Sequence, residues 1–291
     1  MALGLVLGGG GTVGIAWEIG VLAGLADALG WDPDSAAVIV GTSAGAVNGA
    51  LLRQGRTLDE LVGVQRSEGD RLAGVGSVAP ADPEGMMEVF RRWASVERMD
   101  AATARTVAGL AATTSGVPEQ RWVANFESLL RSGDWPAGDL RITGVSCRRG
   151  ERVVWTAASS VPLVRAVAAS CAVPGLFPPV AIGDDRYVDG GLWSGSNADV
   201  VAGEPLDAVV FVGPMGSGAT GIGGLSSRML EAEREVLAGR GVELRTVQPG
   251  ERFHDAGMQL MDASRRVEAL EIGLAEGKDA AAGLAPALAG S

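Results

Sequence analysis

The run Ala36-Ala37-Val38-Ile39-Val40, followed at once by Gly41-Thr42-Ser43-Ala44-Gly45, leaves this chain few ways to fold. The first five residues are apolar and β-branched, the pattern of a buried strand. The next eight after the glycines, Ala46 to Arg53, are Ala/Leu-rich and predict a helix closed by Gly55. Strand, G-x-S-x-G, helix is the context of a nucleophile elbow. The flanking glycines let the backbone turn sharply, so the serine hydroxyl stands clear above the sheet at a helix N-terminus. A plain Gly/Ser turn would carry the same letters, so chemistry at Ser43 needs support from elsewhere in the chain.

The N-terminus offers some. Leu3 to Leu7 predicts a strand that feeds Gly8-Gly9-Gly10-Gly11-Thr12-Val13-Gly14. Ile15, Ile19, Leu22, Ala26 and Leu29 then mark one face of a helix that Gly30 ends. Gly9, Gly11 and Gly14 satisfy the G-x-G-x-x-G of dinucleotide sites. Such a site also wants an acid closing the second strand, to hold the ribose, and here that strand runs into Gly41, Thr42 and Ser43. Bare amides at a helix start also make an anion hole. Beside Ser43 they would hold the oxyanion formed when an ester carbonyl is attacked.

The middle of the chain reads as helical. Thr57-Leu58-Asp59-Glu60 is a capping box, and Asp82-Pro83-Glu84 opens a helix carrying Met86, Met87, Phe90 and Trp93. Pro118-Glu119-Gln120 opens another, with Trp122, Phe126, Leu129 and Leu130 on one side. These Met/Trp-rich faces are core stripes or the lining of an acyl pocket. The stretch from Val64 to Ala81 is the best candidate for a mobile loop and part of a lid. From Asp139 strands return, with Leu140–Val145 and Arg152–Trp155 forming a hairpin about Arg149-Gly150. Val161 to Ser170 predicts a short helix, Leu176 to Val180 a stiff extended segment, and Arg186–Val188 a strand ending at a sheet edge in Asp189-Gly190-Gly191. Strands over 206–212 and 242–247, a charged helix over 225–237 and a last helix from Asp262 through Gly277 complete the alternation. It predicts one α/β domain over 1–291, a three-layer α/β/α sandwich with a mostly parallel central sheet and a helical insertion over about 57–133.

Net charge is −11, from 35 acids against 24 bases. That balance disfavours nucleic acid and gives no pull toward anionic membranes, so any lipid contact is transient, apolar and local, or involves a single molecule drawn from solution. Cys147 and Cys171 match neither a disulfide framework nor a zinc site. The N-terminus lacks the basic start of a signal peptide, and Pro214 and repeated glycines break the uncharged stretch 208–227, so a cytoplasmic location is expected. No cofactor or metal is implied.

A serine nucleophile needs a base. Ser43, Asp189 and His254 follow the chain order of an α/β-hydrolase triad, but Arg252, His254 and Asp255 look like a solvated loop. Asp189 acting directly is the other reading. Its pKa of about 3.9 would have to rise through burial for it to serve as a base. The bland reading of Asp189 is a turn aspartate before two glycines.

Together, the glycine loop, Gly41-Thr42-Ser43-Ala44-Gly45 and Asp189-Gly190-Gly191 resemble the three signatures of the patatin-like phospholipase family, in the family's order over roughly residues 3–200. Ala169 to Val180 also resembles the family's segment before its aspartate. The resemblance implies a patatin-like fold and a serine–aspartate dyad that hydrolyses acyl esters of phospholipids or neutral lipids through an acyl-serine intermediate, without metal. By position, Ser43 is the nucleophile and Asp189 the base, and amides near Gly9, Gly10 and Gly11 form the oxyanion hole. Gly14, Gly41, Gly45, Gly190 and Gly191 are the motif glycines around them. The family's usual basic residue before the last loop glycine is here Val13, which points to a neutral or small ester. Acyl transfer with the same nucleophile and lipid binding without turnover stay open. Oligomeric state is not legible.

Overall fold

The computed structural model describes residues 2–67, 82–111, 115–215 and 220–288. The apolar runs become strands β1 (Leu3–Leu7), β2 (Val38–Gly41), β3 (Asp139–Ser146), β4 (Arg152–Trp155), β5 (Val180–Ile182), β6 (Asp185–Asp189), β7 (Ala208–Val212) and β8 (Glu243–Val247). They build one eight-stranded sheet in the order β5-β6-β3-β2-β1-β7-β8, with β4 also paired to β3. The β3-β2-β1-β7-β8 block is parallel throughout, and β4, β5 and β6 join antiparallel. Side chains alternate across it: Leu5, Leu7 and Ile39 enter one core, Val6, Val38 and Val40 the other.

Ten helices among the described residues cover the sheet: α1 (Gly11–Leu29), α2 (Ala44–Arg53), α3 (Leu58–Arg66), α4 (Pro83–Ala94), α5 (Ala101–Ala111), α6 (Glu119–Leu129), α7 (Leu163–Ser170), α8 (Gly221–Ala238), α9 (Glu251–Asp255) and α10 (Arg266–Leu288). Side chains of α1, α2 and α7 share the first core, and Leu230 and Leu237 of α8 the second. The result is the expected three-layer sandwich. Thr57 and Glu60 close the capping box of α3, and Asp82 caps α4.

Helix α1 departs from the expected single apolar face. It is buried continuously from Thr12 to Leu25 because α10 lies against its outer side. The two backbones touch through glycines. A Cβ on Gly20 would lie 2.3 Å from the Leu270 carbonyl oxygen, and one on Gly277 2.3 Å from that of Val21. Among the described residues α1 alone is long and apolar enough to cross a membrane, with a mean hydropathy of 1.5, but 78% of that window is buried inside the fold.

Other expectations are corrected. The last helix does not stop at Gly277; Asp262 caps a single 3-10 turn that leads into α10, which runs on through the Ala/Gly-rich tail to Leu288. Leu176 and Phe177 are not extended, since both N–H groups donate to the Val173 carbonyl at 3.1 Å and the strand starts only at Val180. Asp189 does not end an edge strand, because β5 flanks β6. Helix α5 falls within the expected helical insertion but has no separate signal, its Ala-rich sequence lacking a stripe of large apolar residues. Of the expected loop between Val64 and Ala81, residues 64–66 close α3, and 68–81 lie outside the described residues.

Candidate active site

Strand β2 delivers Ser43 one residue beyond Thr42, at the N-cap of α2 with φ 54° and ψ −113°. A positive φ on a non-glycine residue costs on the order of 1–3 kcal/mol and persists only where the surroundings impose it. Here they do. A Cβ on Gly45 would lie 2.1 Å from the Leu7 carbonyl oxygen, so only glycine lets α2 start this close to β1. The Ser43 N–H donates to Ser170 Oγ at 2.9 Å, and its carbonyl accepts the Cys171 thiol at 3.3 Å. The next residue, Ala172, accepts the Asp189 N–H at 3.0 Å. Three consecutive residues at the end of α7 thus hold the backbones of both Ser43 and Asp189. Nothing in the local sequence of this segment marks that task.

Sheet register explains how Asp189 reaches Ser43. Ile142 of β3 pairs with Gly41 of β2 and with Trp155 of β4, so β2 and β4 flank β3 on opposite sides. Two residues on, Gly144 pairs with Val153 of β4 and with Asp189 of β6. Strand β6 therefore lies on the same flank as β2 and runs toward its end. Asp189 arrives level with Ser43 because both stand two residues beyond the Gly41–Ile142 pair.

The Asp189 carboxylate is buried at 2% exposure and accepts the Gly191 N–H at 2.7 Å. Burial pushes its pKa up to about 7, while that N–H and the Ser43 hydroxyl pull the other way. Burial also raises the Cys171 thiol, so it stays neutral beside Asp189 near pH 7. Asn197, buried and at φ 56°, ties the loops together: its Nδ2 donates to Thr42 Oγ1 at 3.0 Å and to the Ser194 carbonyl at 2.6 Å. Thr42 Oγ1 in turn lies 2.8 Å from Thr143 Oγ1. Its left-handed conformation is the one signal that sequence reading could have sought in Asn197.

At the glycine loop the expected set of amides narrows. The Gly9 N–H donates to the Gly195 carbonyl at 2.8 Å and is committed to the fold. Among the described residues no protein acceptor takes the N–H of Gly10, Gly11 or Ala44. Gly10 and Gly11 open α1 and Ala44 opens α2, so two helix starts converge beside Ser43. Val13 is fully buried in the core, and His254 is exposed on α9, so neither side chain reaches the site.

A family model described as patatin-like phospholipase matches residues 5–202. The chain belongs to that family, one of lipid hydrolases. Among solved structures, VipD from Legionella pneumophila aligns with a TM-score of 0.50 at 14% identity, covering 99% of this chain and 67% of VipD. The type III effector protein ExoU aligns with a TM-score of 0.39 at 17% identity, covering 96% of this chain and 53% of ExoU. The first likeness is of fold, and the second is too loose to add to it. No curated protein sequence matches.

In this patatin-like chain Ser43 stands between two cavities. The larger, of about 330 Å³, also touches Asp189 and the loop glycines and is walled by Phe90, Trp93, Leu176 and Ile222. The smaller holds only about 30 Å³, because Trp122 and Phe177 stack across it with ring centroids 4.0 Å apart. The two aromatic helix faces seen in the sequence thus end at two adjoining cavities that both touch the serine. Met87, on the same flank, is instead exposed.

Proposed function

We propose that the chain is a serine esterase acting on lipid acyl esters through a Ser43–Asp189 dyad. What carries this reading is one buried carboxylate, with a pKa near neutrality, facing a strained elbow serine across a shared apolar cavity. Ser43 Oγ attacks the ester carbonyl while Asp189 takes its proton. A carboxyl titrating near the working pH suits that task better than an ordinary aspartate. The tetrahedral oxyanion is held by the N–H groups of Gly10, Gly11 and Ala44, aided by the positive ends of α1 and α2. Asp189 then gives the proton to the departing alcohol, leaving an acyl-Ser43 ester. Water, activated by the same carboxylate, releases the acid. Transient apolar membrane contact belongs to this reading, with exposed Met87 on the helix that sends Phe90 and Trp93 to the cavity.

Replacing Ser43 by Ala should cut ester hydrolysis about 10⁴-fold or more and abolish labelling by a fluorophosphonate. Full activity in Ser43→Ala would end the assignment. An added alcohol that captured the acyl group faster than water would move it to acyl transfer.

A further inference from the structure

Two facts about the larger cavity bear on what it can hold. Its only ionisable lining residue among those described is Asp189, and apart from Ser43 its remaining described wall is apolar side chains and glycine backbone. Among the described residues, the arginines on the two helices that wall it are engaged elsewhere. Arg91 and Arg92 of α4 both pair with Glu88, and Arg228 of α8 donates to the carbonyls of Glu97 and Val96 at 3.0 and 3.1 Å.

An anionic phosphate on the leaving alcohol would have to be carried to the mouth of this cavity. There it would lose water without gaining a cation from any described lining residue and would approach the Asp189 carboxylate, which must be ionised to act. The overall charge of −11 opposes its arrival as well. The free amides at the starts of α1 and α2 do not offset this, because they face the reacting carbonyl and are used by its oxyanion. The volume adds a second constraint. At about 330 Å³ the cavity is at the small end for a ligand site, and the adjoining cavity lined by the stacked Trp122 and Phe177 adds only about 30 Å³. There is room for one apolar chain.

We infer that the site takes an ester of an uncharged alcohol, with the single reacting acyl chain lying along Phe90, Trp93, Leu176 and Ile222. This rests on Ser43 being the nucleophile as proposed above. It goes further in selecting against a phosphate-bearing headgroup, and it places the choice in the whole lining rather than at Val13, which is buried away from the cavity.

The test compares two single-chain esters of the same acyl group, 1-decanoylglycerol and the corresponding lysophosphatidylglycerol, on the full chain below their aggregation limits. The glycerol ester is expected to have a kcat/KM at least tenfold higher. Ile222→Lys, which places a cation at the half-buried cavity wall, should narrow that ratio by raising the rate on the phosphate ester. Equal or faster cleavage of the lysophosphatidylglycerol overturns the inference. So does cleavage of neither ester while a fluorophosphonate still labels Ser43, which would leave the nucleophile standing and the substrate class wrong. If labelling fails too, the esterase reading falls with it.

Discussion

Burial holds Asp189 at a pKa of about 7, and the same burial makes it costly to the fold. Ester cleavage and fluorophosphonate labelling should both rise with pH to a plateau above about 7, following ionisation of that carboxyl. Glu233 of α8 is a second group raised to about 7, by burial and by nearby Asp199, but it binds Ser196 Oγ and the Ala198 N–H rather than the cavity. Glu233→Gln should therefore leave the inflection in place. The stability consequence has the opposite sign to activity. Since the folded pKa exceeds the unfolded value of about 3.9, the native state binds the extra proton, and stability falls as pH rises through about 4 to 7. Asp189→Asn should melt above wild type at pH 8, and the gap should close by pH 4. Ser170 gives a separate test. Ser170→Ala strands the buried Ser43 N–H and should slow labelling roughly tenfold while circular dichroism stays native. Ser170→Thr, which keeps the hydroxyl, should recover most of the rate.

Between elements, close backbone contact decides what is tolerated. Gly277 of α10 meets α1 with no room for a Cβ, so Gly277→Ala should cost about 1–3 kcal/mol in urea denaturation. Gly283 lies on the same helix with nothing within 4 Å of where a Cβ would sit, and Gly283→Ala should be neutral or stabilising by up to about 1 kcal/mol. If both changes stabilise alike, helix propensity rather than packing governs α10. A related contrast holds between α4 and α5. The Pro at the start of α4 and its Met/Trp stripe made it readable as a sequence, whereas α5 owes its burial to Ala104, Val107 and Ala108 in a shared cluster, which no single-helix pattern reveals.

At the scale of the whole molecule, the family match ends at residue 202, but the fold that supports the site does not. Strand β7 pairs with β1 along its full length, and Pro214 beyond it would meet a Cβ on Gly10 at 2.3 Å. Helix α10 covers the outer side of α1. Deleting everything after residue 202 should leave β1 as an exposed edge and the most apolar helix bare, giving insoluble protein instead of a smaller active enzyme. Soluble, active 1–202 would overturn that view of the C-terminal third. Much of this was legible beforehand where interactions are local. The strand, the G-x-S-x-G turn, the helix after it and the capping box are set by steric limits and hydrogen bonds within a few residues. The pairing of Ser43 with Asp189 is another matter. It depends on β3 overrunning β2 by enough residues for β6 to arrive end-on, on Ser170, Cys171 and Ala172 meeting both backbones, and on aromatic rings from separate segments closing one cavity and walling the other. Contacts between segments so far apart in the chain carry no local signature, so register and packing alone could bring hydroxyl, carboxylate and free amides to one place.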